Sequence, residues 1–95
     1  MKQKVQAIEY DANYEVLETK DDFEFVEDAQ KWCEARRGEP IEWGDTEFGY
    51  SGMTAKEQEH LGEHSEFPPR MYEVHGIEED GGIRYLEDED YKGRT

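Results

Sequence analysis

The stretch Asp21–Pro40, DDFEFVEDAQKWCEARRGEP, decides the fold. Phe25, Val26, Ala29, Trp32 and Cys33 recur at three- and four-residue steps, which places them on one face of an α-helix. Asp21 or Asp22 is expected to cap its start, with Glu24 three residues after Asp21. Arg36 and Arg37 fall in the last turn, where the helix dipole favours cations. Gly38 suits the left-handed position after the helix, and Pro40 forbids continuation. The expected helix therefore covers about 22–37, with Phe23–Phe25 the one part that reads equally as extended chain and would move the start to Val26. A single helix of this length is marginal alone, so a sheet must cover its apolar stripe, with Val26 and Trp32 buried beneath it.

Working outward, Lys4–Tyr10 and Tyr14–Thr19 read as two strands of a hairpin around Asp11-Ala12-Asn13. After the helix, Pro40–Trp43 alternates like a strand. Gly44–Gly52 is glycine-rich and aromatic, a hairpin continuation or a packed loop. Thr54-Ala55-Lys56-Glu57 is a capping box that should open a short helix over about 55–61, ending at Gly62. Phe67-Pro68-Pro69 is an extended connector. Arg70–Ile77 and Ile83–Glu87 form a terminal hairpin across Glu78–Gly82. The tail 88–95 has little to bury and is expected to fray. The order is β-β-α-β-α-β-β, one α+β domain over 1–95: a small antiparallel sheet with the main helix on one face.

With 95 residues the chain has enough surface for one core and no second. Apolar residues are only 34%, so two Trp, six Tyr and four Phe must carry much of the burial. Cys33 is the single cysteine, which leaves no internal disulfide, and its place on the helix stripe makes it a small buried hydrophobe. The first residues, MKQKVQAIEYD, hold no long apolar run, and no segment approaches the roughly 20 apolar residues of a membrane span. The expected location is the cytoplasm, of a bacterial cell or of a cell to which a virus delivers the chain.

No motif supports catalysis, and no metal or cofactor is expected. His60-Leu61-Gly62-Glu63-His64 resembles the inverted zinc-protease motif H-x-x-E-H, whose two histidines bind zinc and whose glutamate acts as base. The resemblance covers five residues, places Gly62 inside the required helix, and leaves no room for a third ligand and a peptide cleft. Gly49-Tyr50-Ser51-Gly52 lacks the spacing of a nucleophile elbow and reads as a structural turn. Asp11–Glu15 starts like a calcium loop but has its glycine and closing acid out of register. His75 reads as a strand surface residue.

Charge is the strongest global signal. Twenty-six acids against 11 bases give −15, a field that excludes direct binding to DNA, RNA or anionic lipid and attracts basic protein surfaces. Residues 1–38 carry −4 and residues 39–95 carry −11. The excess lies in three clusters: Glu57, Glu59, Glu63 and Glu66; Glu78, Glu79 and Asp80; and Glu87, Asp88, Glu89 and Asp90. Carboxylates one helical turn apart lie about 5–6 Å from each other, and those on one strand face about 6.6 Å. These spacings are comparable to phosphates advancing about 3.4 Å per nucleotide of one strand. The expected function is a small phage-type acidic inhibitor. It would bind a basic, nucleic-acid-handling protein through these acids, with Trp43 and Tyr50, and block its nucleic-acid site by DNA mimicry, as anti-restriction and anti-CRISPR proteins do. The alternative is a non-catalytic adaptor that binds through exposed Trp43, Phe48 and Tyr50, acidic for solubility or for high salt.

Overall fold

The computed structural model describes residues 4–64 and 70–92, with the side chains of 60–64 left out. Its strands are β1 (Lys4–Tyr10), β2 (Val16–Phe23), β3 (Glu42–Asp45), β4 (Gly49–Met53), β5 (Met71–Ile77) and β6 (Ile83–Arg84). Helix α1 is Val26–Arg37 and α2 is Ala55–His64, and Asp88–Asp90 forms one 3₁₀ turn. Every strand pairing is antiparallel, in the order β2-β1-β5-β4-β3. β6 pairs with the last two residues of β5, so β4 and β6 share one edge of β5 end to end. This is the α+β architecture expected from the sequence.

Register explains the core. Val5 faces Gly76, Ala7 faces Val74 and Glu9 faces Tyr72 across β1 and β5, and opposed residues share a sheet face. That face packs on α1 through Val26, Ala29 and Cys33, a spacing of three and four residues. Ile41, buried just after the helix, closes the cluster. The Gly38 backbone is left-handed (φ 79°), and its N–H donates to Glu34 O, which terminates α1.

Several boundaries differ from the sequence reading. β2 continues to Phe23, so Asp21 and Asp22 are strand residues, and the residue preceding α1 is Phe25 with no side-chain cap. The longer strand wins because its backbone pairs with the interior strand β1 through Phe23. Tyr14 lies in the β1–β2 loop at φ 60°, held by its N–H to Asp11 O, while Asp11 Oδ1 accepts from Asn13 and Glu15 N–H. Trp32 is half-buried, against Phe23 on one side and the Arg36 guanidinium on the other, and Ala29 and Cys33 take the deep positions. Residues 49–52 are strand, not a turn, since Gly49–Gly52 pair with Tyr72–His75. The helix of α2 continues through Gly62 to His64. The connector Phe67-Pro68-Pro69 lies outside the described residues.

The largest departure is the C-terminal segment, which packs instead of fraying over its described part. Arg84 extends across Gly76, where a Cβ would lie 2.9 Å from its guanidinium. It donates to Lys4 O and to both Asp90 carboxylate oxygens, each at 2.8–2.9 Å. Leu86 and Tyr91 then pack on the core beside α1, and the Tyr91 and Tyr50 hydroxyls meet at 2.6 Å. Fixed ends such as these need tethers of this kind.

Candidate functional site

The strand register divides the charged residues between the two ends of the sheet. One end holds the start of β1, the finish of β2, the β3–β4 turn and the β5–β6 turn. Because α1 follows β2, its N-terminus lies at this end too. It therefore carries Asp21 and Asp22 from β2, Glu27 and Asp28 from α1, Asp45 and Glu47 from the end of β3 and the turn after it, and Glu78, Glu79 and Asp80 from the β5–β6 turn. Glu87, Asp88 and Glu89 follow from the C-terminal segment, whose Lys92 reaches the α1 N-terminus. Glu78, Glu79, Asp80, Glu87, Asp88 and Glu89 are all exposed. Of the cations here, Lys20 pairs with Asp22, Lys92 with Asp28 and Arg84 with Asp90, and the exposed Lys4 opens β1. The acids at the N-terminus of α1 also sit favourably on its dipole.

The opposite end is mixed. Arg36 and Arg37, from the last turn of α1, bond Glu9 and Glu57 at 2.9 Å. Glu57 belongs to the capping box read from the sequence: its N–H donates to Thr54 Oγ1, and its Oε1 accepts from the Thr54 N–H and hydroxyl. Its second oxygen accepts from Arg70 N–H. Both Glu57 and Asp90 are buried and spent on internal arginines, which removes these two from the acids expected to meet a partner. The same burial holds for Glu9, whose Oε2 accepts from the Tyr72 hydroxyl.

Burial works against ionisation of all three. For Glu9, the bonds from Tyr72 and Arg36 outweigh it; for Glu57, those from Arg37 and Thr54; for Asp90, that from Arg84. Each stays below its ordinary pKa, so each is a carboxylate at neutral pH. Three arginines are thus paired with three buried acids, and the −15 is carried by the rest of the chain.

Glu59 is exposed on α2, toward the mixed end. The side chain of Glu63, and all of Glu66, lie outside the described residues, as do the His60 and His64 side chains. Trp43 and Tyr50 are half-buried against the core, and Phe48 is half-buried against the Tyr85 ring, 4.8 Å between centroids. The exposed large apolar residues are instead Tyr14, Val16 and Leu17 in the β1–β2 hairpin and Ile83 and Tyr85 near β6. Among the described residues no group of three or more potential ligands is placed to hold a metal ion, and no helix is long and apolar enough to cross a membrane.

Sequence reasoning missed one feature. His75 is buried, not a surface residue, and lines a cavity of about 260 Å³ at the junction of β4 and β6, together with Glu47, Phe48, Tyr50, Glu73 and Ile83. No protein-family model matches the chain, and neither a curated protein nor a solved structure matches it.

Proposed function

We propose that this chain is a small acidic inhibitor that occupies the nucleic-acid site of a basic protein by imitating the charge of a nucleic-acid backbone. In functional class it stands with the phage proteins that block restriction or CRISPR enzymes, and it would act in the bacterial cytoplasm. The observation that carries the reading is the one-sided sheet end, where acids from five separate segments converge and three of the cations present are already paired. A chain acidic only for solubility has no need to segregate charge in this way. Carboxylates there would replace phosphates against the partner's Arg and Lys, and the field would steer encounter. Trp43 and Tyr50, expected contacts under both readings, are half-buried against the core, and Phe48, expected under the adaptor reading, is half-buried against Tyr85.

The test is competition. Once a basic target is captured from the native host, increasing amounts of this protein should release its nucleic acid. A ternary complex with the nucleic acid fully retained would refute mimicry.

A further inference from the structure

The cavity at the β4–β6 junction brings Glu47, Phe48, Glu73 and the buried His75 to one place. It lies where β4, whose Gly49 is opposite His75, meets β6, which pairs with Gly76 and Ile77 along the same edge. Its volume, about 260 Å³, lies below the roughly 300–1,000 Å³ of drug-sized pockets and suits a single side chain. Glu47 and Ile83 are exposed, so the mouth opens at the surface of the acidic end. The lining includes two acidic residues, Glu47 and Glu73, and Phe48, whose ring lies against Tyr85.

His75 is the second, independent pointer. It is 94% buried by its 6% exposure, and its Nδ1 lies 3.2 Å from Gly76 O. A carbonyl only accepts, so Nδ1 donates, and in the neutral ring Nε2 is left as an acceptor. No hydrogen bond is made to Nε2 within the described structure. Glu73 is already oriented by the Tyr10 and Tyr14 hydroxyls, at 2.8 and 3.1 Å, which leaves lone pairs on both oxygens.

We propose that this cavity receives a guanidinium group, an arginine side chain of the protein partner. A planar fork of donors suits carboxylates and an imidazole acceptor, and its face can stack on the Phe48 ring, which an ammonium does less well. The pocket would turn diffuse attraction into a fixed register. It rests on the inhibitor reading only for the source of the arginine.

The test therefore uses a free probe, n-butylguanidinium, with the full chain and no partner. NMR resonances of His75 and Phe48 should shift saturably, with a dissociation constant in the millimolar range. Affinity should fall about tenfold in Glu47→Gln combined with Phe48→Ala, a loss of about 1.4 kcal/mol. Glu47→Gln alone, at an exposed turn position, should weaken binding without disturbing the fold. n-Butylammonium should bind several-fold more weakly. Shifts that never saturate, or that spread evenly over the exposed acids and persist in the double variant, would overturn the proposal, as would equal affinity for the ammonium. Either result leaves the nucleic-acid competition free to succeed or fail separately.

Discussion

Glu9 and Tyr72 face each other across β1 and β5, and the Tyr72 hydroxyl donates to Glu9 Oε2 at 2.6 Å while Arg36 holds Oε1. A glutamate is thus built into the apolar layer next to Cys33, with both of its oxygens bonded. Tyr72→Phe should cost about 1–3 kcal/mol, the penalty of a charge-assisted hydrogen bond withdrawn from a buried group. Arg36→Met should cost more, since it leaves the carboxylate without its counter-charge. Urea unfolding of the two variants checks the order.

The pH response follows from the same groups. Glu9, Glu57 and Asp90 have folded pKa values below their ordinary ones. Such groups contribute stability that is fully present above the unfolded pKa, about 3.9–4.3, and lost as pH falls through the folded value. Protonation of the exposed acids relieves repulsion and acts in the opposite sense. The difference between the wild type and Glu9→Gln isolates the buried contribution. It should be flat above about pH 5 and shrink toward zero on acidification.

Removing Asp90 should be far more damaging than removing its neighbours. Asp90→Ala leaves the Arg84 guanidinium, 9% exposed, without its partner, at a cost of about 3–5 kcal/mol. Asp88→Ala and Glu89→Ala, at exposed positions, should stay within about 0.5 kcal/mol. Equal effects in chemical denaturation would mean the C-terminal segment is not anchored as described.

Two glycines give a graded pair. A Cβ on Gly49 would meet Val74 O at 2.0 Å, a backbone atom that cannot step aside, whereas a Cβ on Gly76 meets the Arg84 side chain at 2.9 Å. Gly76→Ala should cost about 1–3 kcal/mol by displacing Arg84. Gly49→Ala should cost more, through loss of the β4–β5 pairing. Thermal midpoints of the two variants test this ranking.

Reversing charge at the two ends should separate them. Glu78→Lys with Glu79→Lys, at the acidic end, should slow association with a basic target, with the loss shrinking as salt rises above about 0.1 M, where the Debye length is about 10 Å. Glu15→Lys with Glu39→Lys, at the mixed end, should change the on-rate little. Equal losses would show that only net charge matters. Glu9, Glu57 and Asp90 are unsuitable for this comparison, because their reversal would unfold the chain.

The buried thiol gives a separate check on the core. Burial pushes the Cys33 pKa up to about 12, so a thiol reagent at neutral pH should modify it only at the rate of unfolding.

What could be read from the chain is what local physics controls. The stripe Val26, Ala29 and Cys33, the stop at Gly38 and the Thr54–Glu57 capping box are signals within a few residues, and each is found in the structure. Trp32 was harder, because a ring on the flank of a stripe is placed by its neighbours, here Phe23 and Arg36. The fates of individual acids were not legible. Glu57 resembles Glu59 in sequence, yet one is buried on Arg37 from 20 residues away and the other is exposed. The convergence of acids at one end needed the register, which no short motif encodes.

The interior position of β1 has a consequence for synthesis. This strand is made before both of its neighbours, and its contact with β5 joins residues such as Tyr10 and Glu73, 63 positions apart. At about 5–20 residues per second, the ribosome leaves that edge of β1 open for several seconds. An open strand edge is a template for pairing with other nascent chains on the same message. The acidity of the emerging chain keeps those copies apart during the wait, so the charge that would capture a basic target also guards the protein's own assembly.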